Sequence, residues 1–251
     1  MLRKLVASGM IAGIAAGLIA TLLQLVFVVP LIVQAELYES GQLQHFAMAA
    51  PDHLSDAPSA VASAADAAHD HNDGLHTHET DPDTGFDLTR HGLTVIANIA
   101  TYSGFALLLA AAFGLAEGWG VRLNARSGAL WGAAGFIAVH LATGAGLPPE
   151  LPGNFAADLQ ARQIWWLVTA VLSFGGIMAI AYGRNAATLA LGAAVIAIPH
   201  LVGAPHSPEF GGLVPPELMA LFVTRSLAVA AIVWVVLGGL AGFVWARHET
   251  T

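Results

Sequence analysis

Long apolar runs alternate with short polar breaks along the 251 residues. Six runs, at roughly 5–33, 92–116, 127–146, 163–183, 186–203 and 218–246, approach or exceed the ~20 helical residues needed to cross a bilayer core. In lipid the backbone must satisfy its own hydrogen bonds, which leaves helices or closed barrels. Barrel strands are shorter and alternate in polarity, so these runs predict helices. The fifth is the shortest. The expected fold is an all-α integral membrane protein: a first helix over 1–33, an extracytoplasmic and largely disordered loop over 34–91, and a membrane domain with five further helices over 92–251.

The first run follows Arg3 and Lys4, as a signal peptide would. A signal core has about 7–15 apolar residues. This run continues from Leu5 to Val33 and ends in a poor cleavage site, Val33-Gln34-Ala35, so it reads as a retained helix. Pro30 and Pro199 should break helix bonding locally and free carbonyls that could ligate a cation.

The runs repeat. SGALWGAAGFIAVHL (127–141) aligns without gaps on ATLALGAAVIAIPHL (187–201), and each is followed by Pro-Pro-Glu-Leu. An arginine comes next, Arg162 or Arg225, and thirteen residues on stands a Gly-Gly pair, Gly175-Gly176 or Gly238-Gly239. The first third echoes this with Ser8-Gly9, Gly13, Glu36-Leu37, Arg90 and Ser103-Gly104. The chain therefore reads as three parallel helical hairpins around a pseudo-threefold axis. Small residues let helices approach closely in lipid.

Composition sharpens this picture. The chain is 56% hydrophobic and 10% charged, against about a quarter charged in soluble domains. It has no cysteine, which excludes disulfides, thiolate metal sites and Cys nucleophiles. Residues 34–91 hold eleven acids against one arginine, and the rest of the chain six acids against eight basic residues. No basic face suits a nucleic acid. Arg3, Lys4, Arg122, Arg126, Arg184 and Arg247 fall at the ends and in the even connections, and only Arg90, Arg162 and Arg225 lie toward the other side. Basic residues concentrate on the cytoplasmic side, so both termini are expected in the cytoplasm and residues 34–91 outside. There is no P-loop, HExxH or GxSxG motif, so nothing supports an enzyme.

The candidate chemistry is metal binding. His69-Asp70-His71 and His76-Thr77-His78 lie in the outer loop, which carries seven of the eleven histidines. Alternate residues of an extended chain point the same way, so each pair could pinch one cation. Imidazole suits Co²⁺, Ni²⁺, Zn²⁺ and Cu²⁺. His140 and His200 are repeat equivalents near outer helix ends, with His206 and Glu209 behind them. Polar residues inside membrane segments are costly and mark function, though each could instead bond a neighbouring carbonyl. Glu36, Glu150 and Glu217 read either as partners of Arg90, Arg162 and Arg225 in ion pairs between hairpins or as an acidic ring drawing in a divalent cation.

These strings resemble the CbtA-type predicted cobalt transporter subunits over nearly the whole chain. The resemblance rests on MLRKLVASGMIAGIAAGLIATLLQ, PLIVQAELYE, the His-rich loop, HLATGAGLPPELPG with ARQIWW, and PHLVGAP with PPEL and TRSLA. It implies cobalt uptake across the inner membrane of bacteria, often linked to cobalamin synthesis. It also implies a small CbtB-type partner with one membrane span and its own histidines. The family is usually described with five spans, whereas the hydropathy here gives six.

Three functions follow. In the first, the chain is a cobalt transport subunit whose loop gathers metal, with nickel or zinc as alternative cargo. Ligating histidine must be neutral, so uptake should fall as the pH drops below about 6. In the second, His140 and His200 are the axial ligands of a b-type haem. In the third, the chain is a membrane metal sensor or scaffold that does not transport. One copy and a homo-oligomer both fit.

Overall fold

The computed structural model describes residues 2–44, 88–208 and 211–248. Those residues form α1 (Leu2–Phe27), α2 (Val29–Glu39), α3 (Leu88–Gly118), α4 (Ala125–Phe136), a π-turn (Ile137–Leu141), α5 (Ala142–Gly144), α6 (Leu159–Tyr182), α7 (Ala186–Val202) and α8 (Pro216–Arg247). Among the described residues, four helices are long and apolar enough to cross a membrane: Leu2–Phe27, His91–Gly118, Leu159–Tyr182 and Pro216–Arg247. The α4, π-turn and α5 segments follow one another without a break from 125 to 144, and α7 has 17 residues. Every apolar run thus became helical. Helix also extends into both ends of the 34–91 stretch, to Glu39 and from Leu88.

The break between α1 and α2 has a local cause. Pro30 lacks an N–H and cannot continue the α-helical ladder. Val28 leaves regular geometry at φ −112° and ψ −48°, and the Leu31 N–H bonds the Val28 carbonyl at 3.0 Å. The Phe27 carbonyl instead accepts a hydrogen bond from the Arg225 guanidinium at 3.3 Å. The freed carbonyl thus meets a cation that belongs to the protein.

The helices run between two ends. At the first, the Lys4 ammonium lies 3.0 Å from a Glu117 carboxylate oxygen and 4.4 Å from the centre of the Trp245 ring. Trp131 packs on Tyr182 there, with ring centres 6.2 Å apart. That end therefore gathers the starts of α1 and α4 and the finishes of α3, α6 and α8. At the second end, the 145–158 and 203–215 connections meet through a bridge between Asn154 and Gly212. Both flanks of the undescribed 45–87 stretch belong to this second end, since Asn98 of α3 donates to Thr21 and Gln24 of α1 at 3.0 and 2.8 Å.

Lipid offers no hydrophobic drive for helix association, so contact depends on close packing. Small residues supply it. A Cβ on Gly13 would run into Ser103, and one on Gly17 would lie 2.6 Å from the Ile99 backbone. Gly128 and Gly132 of α4 meet the backbone of Trp234 and Gly238 on α8 in the same way. Between α6 and α7, an added Cβ on Gly176 or on Gly192 would stand 2.7 Å from the other's carbonyl oxygen.

Positions equivalent in sequence lie at close helix contacts, but the helices they join are not consecutive throughout. The equivalent positions Gly13, Gly132 and Gly192 each press on a partner helix at or next to the equivalent positions 103, 238 and 175. The pairs formed are α1 with α3, α4 with α8, and α7 with α6. The expectation of three like hairpins is corrected here: α7 and α8 follow each other in sequence yet do not pack together. Gly128, Gly132, Gly238 and Gly242 give α4 and α8 a glycine-to-glycine contact several turns long. The short α7 has only Gly192 to offer. The 203–215 connection is long enough, at up to ~3.3 Å per residue, for α8 to leave α7 and enter the core. There α8 lies between α1 and α4, with Val233, Leu237, Ala241 and Trp245 fully buried.

Candidate functional site

The chemistry collects at the second end, around the 145–158 connection. Three local devices set it up. Pro148-Pro149 stiffens the start of the loop, and Leu151 anchors it by burial. Gly153, at φ +82°, turns the chain in the left-handed region that glycine adopts without strain. The Asp158 carboxylate accepts the Ala161 N–H at 2.9 Å and starts α6 as an N-cap. Arg162 therefore sits in the first turn of α6, facing back over the loop. Its guanidinium donates to the Glu150 carboxylate at 2.8 Å.

His140 reaches this region from the π-turn. There the Ala142 N–H bonds the Ile137 carbonyl, and the widened turn disturbs the regular ladder. The Thr143 hydroxyl donates to the Val139 carbonyl at 2.6 Å, and Thr143 is buried. The His140 ring stacks on Phe136 at 6.2 Å and meets Trp234 edge-on at 6.0 Å. Its Nε2 is buried with no hydrogen-bond partner. Leaving a buried polar atom unpaired costs about 1–3 kcal/mol, and π-turns recur at functional sites.

Two clefts flank the Glu150–Arg162 pair. The first, of about 580 Å³, is lined by His140, Thr143, Gln163 and Trp166 together with the pair. The second, of about 530 Å³, is lined by His206, Asn154 and Met219 together with the same pair. The Asn154 amide approaches the Met219 sulfur at 3.7 Å. Glu150 and Arg162 pair with each other within one connection and its following helix, not between hairpins.

The other expected residues fare differently. His200 is exposed in the last turn of α7, edge-on to Trp165 at 6.0 Å, and lines neither cleft. The Trp165 indole N–H donates to the Pro199 carbonyl at 3.2 Å, so that carbonyl is occupied as well. His140 and His200 thus have different neighbours and do not face one slot. Glu36 is half-buried on α2, and Glu217 is exposed at the start of α8. Arg225 holds the Phe27 carbonyl rather than an acid. His69, Asp70, His71, His76, His78, Glu209 and the Arg90 side chain lie outside the described residues. Among the described residues, no three His, Asp or Glu side chains converge as a ready metal cluster.

Sequence reasoning missed Thr143, Gln163, Asn154, Trp166 and Met219. Thr143 alone carried a usable signal: it follows His140 by three residues inside an apolar run, the spacing at which a hydroxyl can cover a helix carbonyl.

A family model described as a probable cobalt transporter subunit (CbtA) matches residues 2–246, nearly the whole chain. No curated protein and no solved structure matches it.

Proposed function

The chain belongs to the CbtA family of probable cobalt transporter subunits, and from that premise we propose that it forms the membrane path for Co²⁺ uptake, entered at the second end of the helices. The observation that carries this reading is His140, which has a ring nitrogen buried without a partner, sits on a π-turn and lines the same cleft as Glu150. A neutral imidazole and a carboxylate are ligands a borderline divalent cation accepts, and nickel or zinc are the nearest competitors for the same donors.

Six helices cross the membrane in this reading, with α4, the π-turn and α5 acting as one rod and the short α7 leaning on α6. The first end is cytoplasmic. Lys4, Arg122, Arg126, Arg184 and Arg247 belong to it, which suits the positive-inside tendency. The second end then faces outward in a bacterial inner membrane. The His-rich residues 69–78 lie in a stretch whose flanks both return to that end, where they serve to collect metal. His206 and Glu150 take the cation next, and His140 follows. Membership in a family of transporter subunits implies a partner, and a single-span CbtB-type chain with its own histidines fits that part.

Uptake of ⁵⁷Co²⁺ by metal-starved cells expressing the chain with its partner tests this reading. Rates above the empty vector, weakened mainly at low metal when residues 66–79 are deleted, are expected. A phenotype lost outright on that deletion, with no uptake in the intact chain, would show a sensor instead.

A further inference from the structure

The Glu150–Arg162 pair stands between two clefts rather than at the edge of one. Leu147, Pro148, Pro149, Glu150 and Arg162 line both. His140 lies only in the first cleft and His206 only in the second. A cation handed from His206 to His140 must therefore pass Glu150, the one acid among the described residues that line either cleft, and that acid is held by an arginine at 2.8 Å. The Arg162 and Glu150 side chains stay 26% and 30% exposed, so the pair is open to an incoming cation.

Resting on the transport reading above, we propose that Glu150 and Arg162 form a gate between these clefts, opened when an incoming divalent cation takes the Glu150 carboxylate from Arg162. Closed, Arg162 neutralises Glu150 and repels cations from His140. A divalent cation competes for the carboxylate with twice the charge of the guanidinium. Glu150 is fixed on a loop stiffened by Pro148-Pro149 and so stays in place as Arg162 moves. The equivalent pair in the next repeat is not built this way, since Arg225 is spent on the Phe27 carbonyl and Glu217 faces outward. The gate belongs to this connection and not to the repeat.

The test measures initial ⁵⁷Co²⁺ uptake in cells carrying the full chain and its partner, at matched abundance by immunoblot. Glu150→Gln is expected to lower the rate about tenfold or more, as lost metal-site groups do. Arg162→Gln is expected to keep or exceed the wild-type rate and to let excess Mg²⁺ compete more strongly. If Arg162→Gln fails to accumulate, Arg162→Lys reads the same quantity, with uptake no lower than wild type expected. The swapped pair, Glu150→Arg with Arg162→Glu, should stay inactive because the acid has moved. The proposal is overturned if both single substitutions depress uptake alike and the swap restores it, which is the behaviour of a structural strap. Uptake by the wild-type chain no better than the empty vector would remove the transport reading itself, and the gate with it.

Discussion

The ends of α4–α5 and α7 began as the same sequence and became different objects. Both read Gly-Ala-Ala, then His-Leu, then a connection to Pro-Pro-Glu-Leu. Around His140 the next residues continue the helix: Thr143 covers the Val139 carbonyl, and the chain stays helical to Gly144. Around His200, Pro199 stands where Val139 stands in the other copy, and Gly203 takes the place of Thr143. Gly203 adopts φ +88° and ends the helix, its N–H bonding the Pro199 carbonyl. One histidine is enclosed against Trp234, and the other lies exposed beside Trp165. Two substitutions in a repeat, and a different partner helix, are enough to separate a candidate ligand from a surface residue.

The largest effect should come from breaking the packing that encloses His140. Gly132→Leu would drive a side chain into the Trp234 backbone and should destabilise the core by more than about 3 kcal/mol. Gly192→Leu would also clash, with Gly176, but α7 packs on no helix except α6. That variant should leave the core of α1, α3, α4 and α8 folded. Size-exclusion profiles and thermal unfolding in detergent separate the two: loss of the monodisperse peak for Gly132→Leu, and a lowered midpoint with the peak retained for Gly192→Leu.

A smaller effect should follow from Thr143→Val. Removing the hydroxyl leaves the Val139 carbonyl without this partner, at a cost of about 1–3 kcal/mol. It also loosens the π-turn that aims His140, so metal uptake should fall at unchanged abundance. The same substitution has no counterpart at Gly203, where the helix has already ended. Smallest is Trp165→Phe, which deletes the indole bond to Pro199 and should cost about 1 kcal/mol. That change should shift the thermal midpoint slightly and leave uptake near wild type, because His200 is outside both clefts.

Much of this was legible in the sequence. Hydropathy is a local property, and the six apolar runs became helical, the first broken near Pro30 into α1 and α2 and the others with ends displaced by only a few residues. The charge asymmetry also carried through, because Lys4 and its basic companions gather at one end. Pro30 announced a freed carbonyl, and one exists at Phe27. Its partner was not legible, because Arg225 is brought there by the α1–α8 contact and not by any local signal. The pairing of α4 with α8 was hidden for a related reason. A Gly-Ala-Ala face says that a helix will be approached closely, but not by which of two similar glycine pairs. The π-turn was hidden too, since one residue of register slip leaves hydrophobic periodicity almost unchanged. The division of labour between His140 and His200 followed from those hidden features, so the sequence presented the two histidines as equals.

The most direct measurement sets them side by side. Initial ⁵⁷Co²⁺ uptake is compared for His140→Ala and His200→Ala in cells with matched amounts of each chain and its partner. The enclosed histidine should be the one that matters: about tenfold or greater loss for His140→Ala, and a rate within about twofold of wild type for His200→Ala, as for an exposed side chain with little energetic weight. Equal losses, or a loss confined to His200→Ala, would contradict the placement of the cation path at the π-turn.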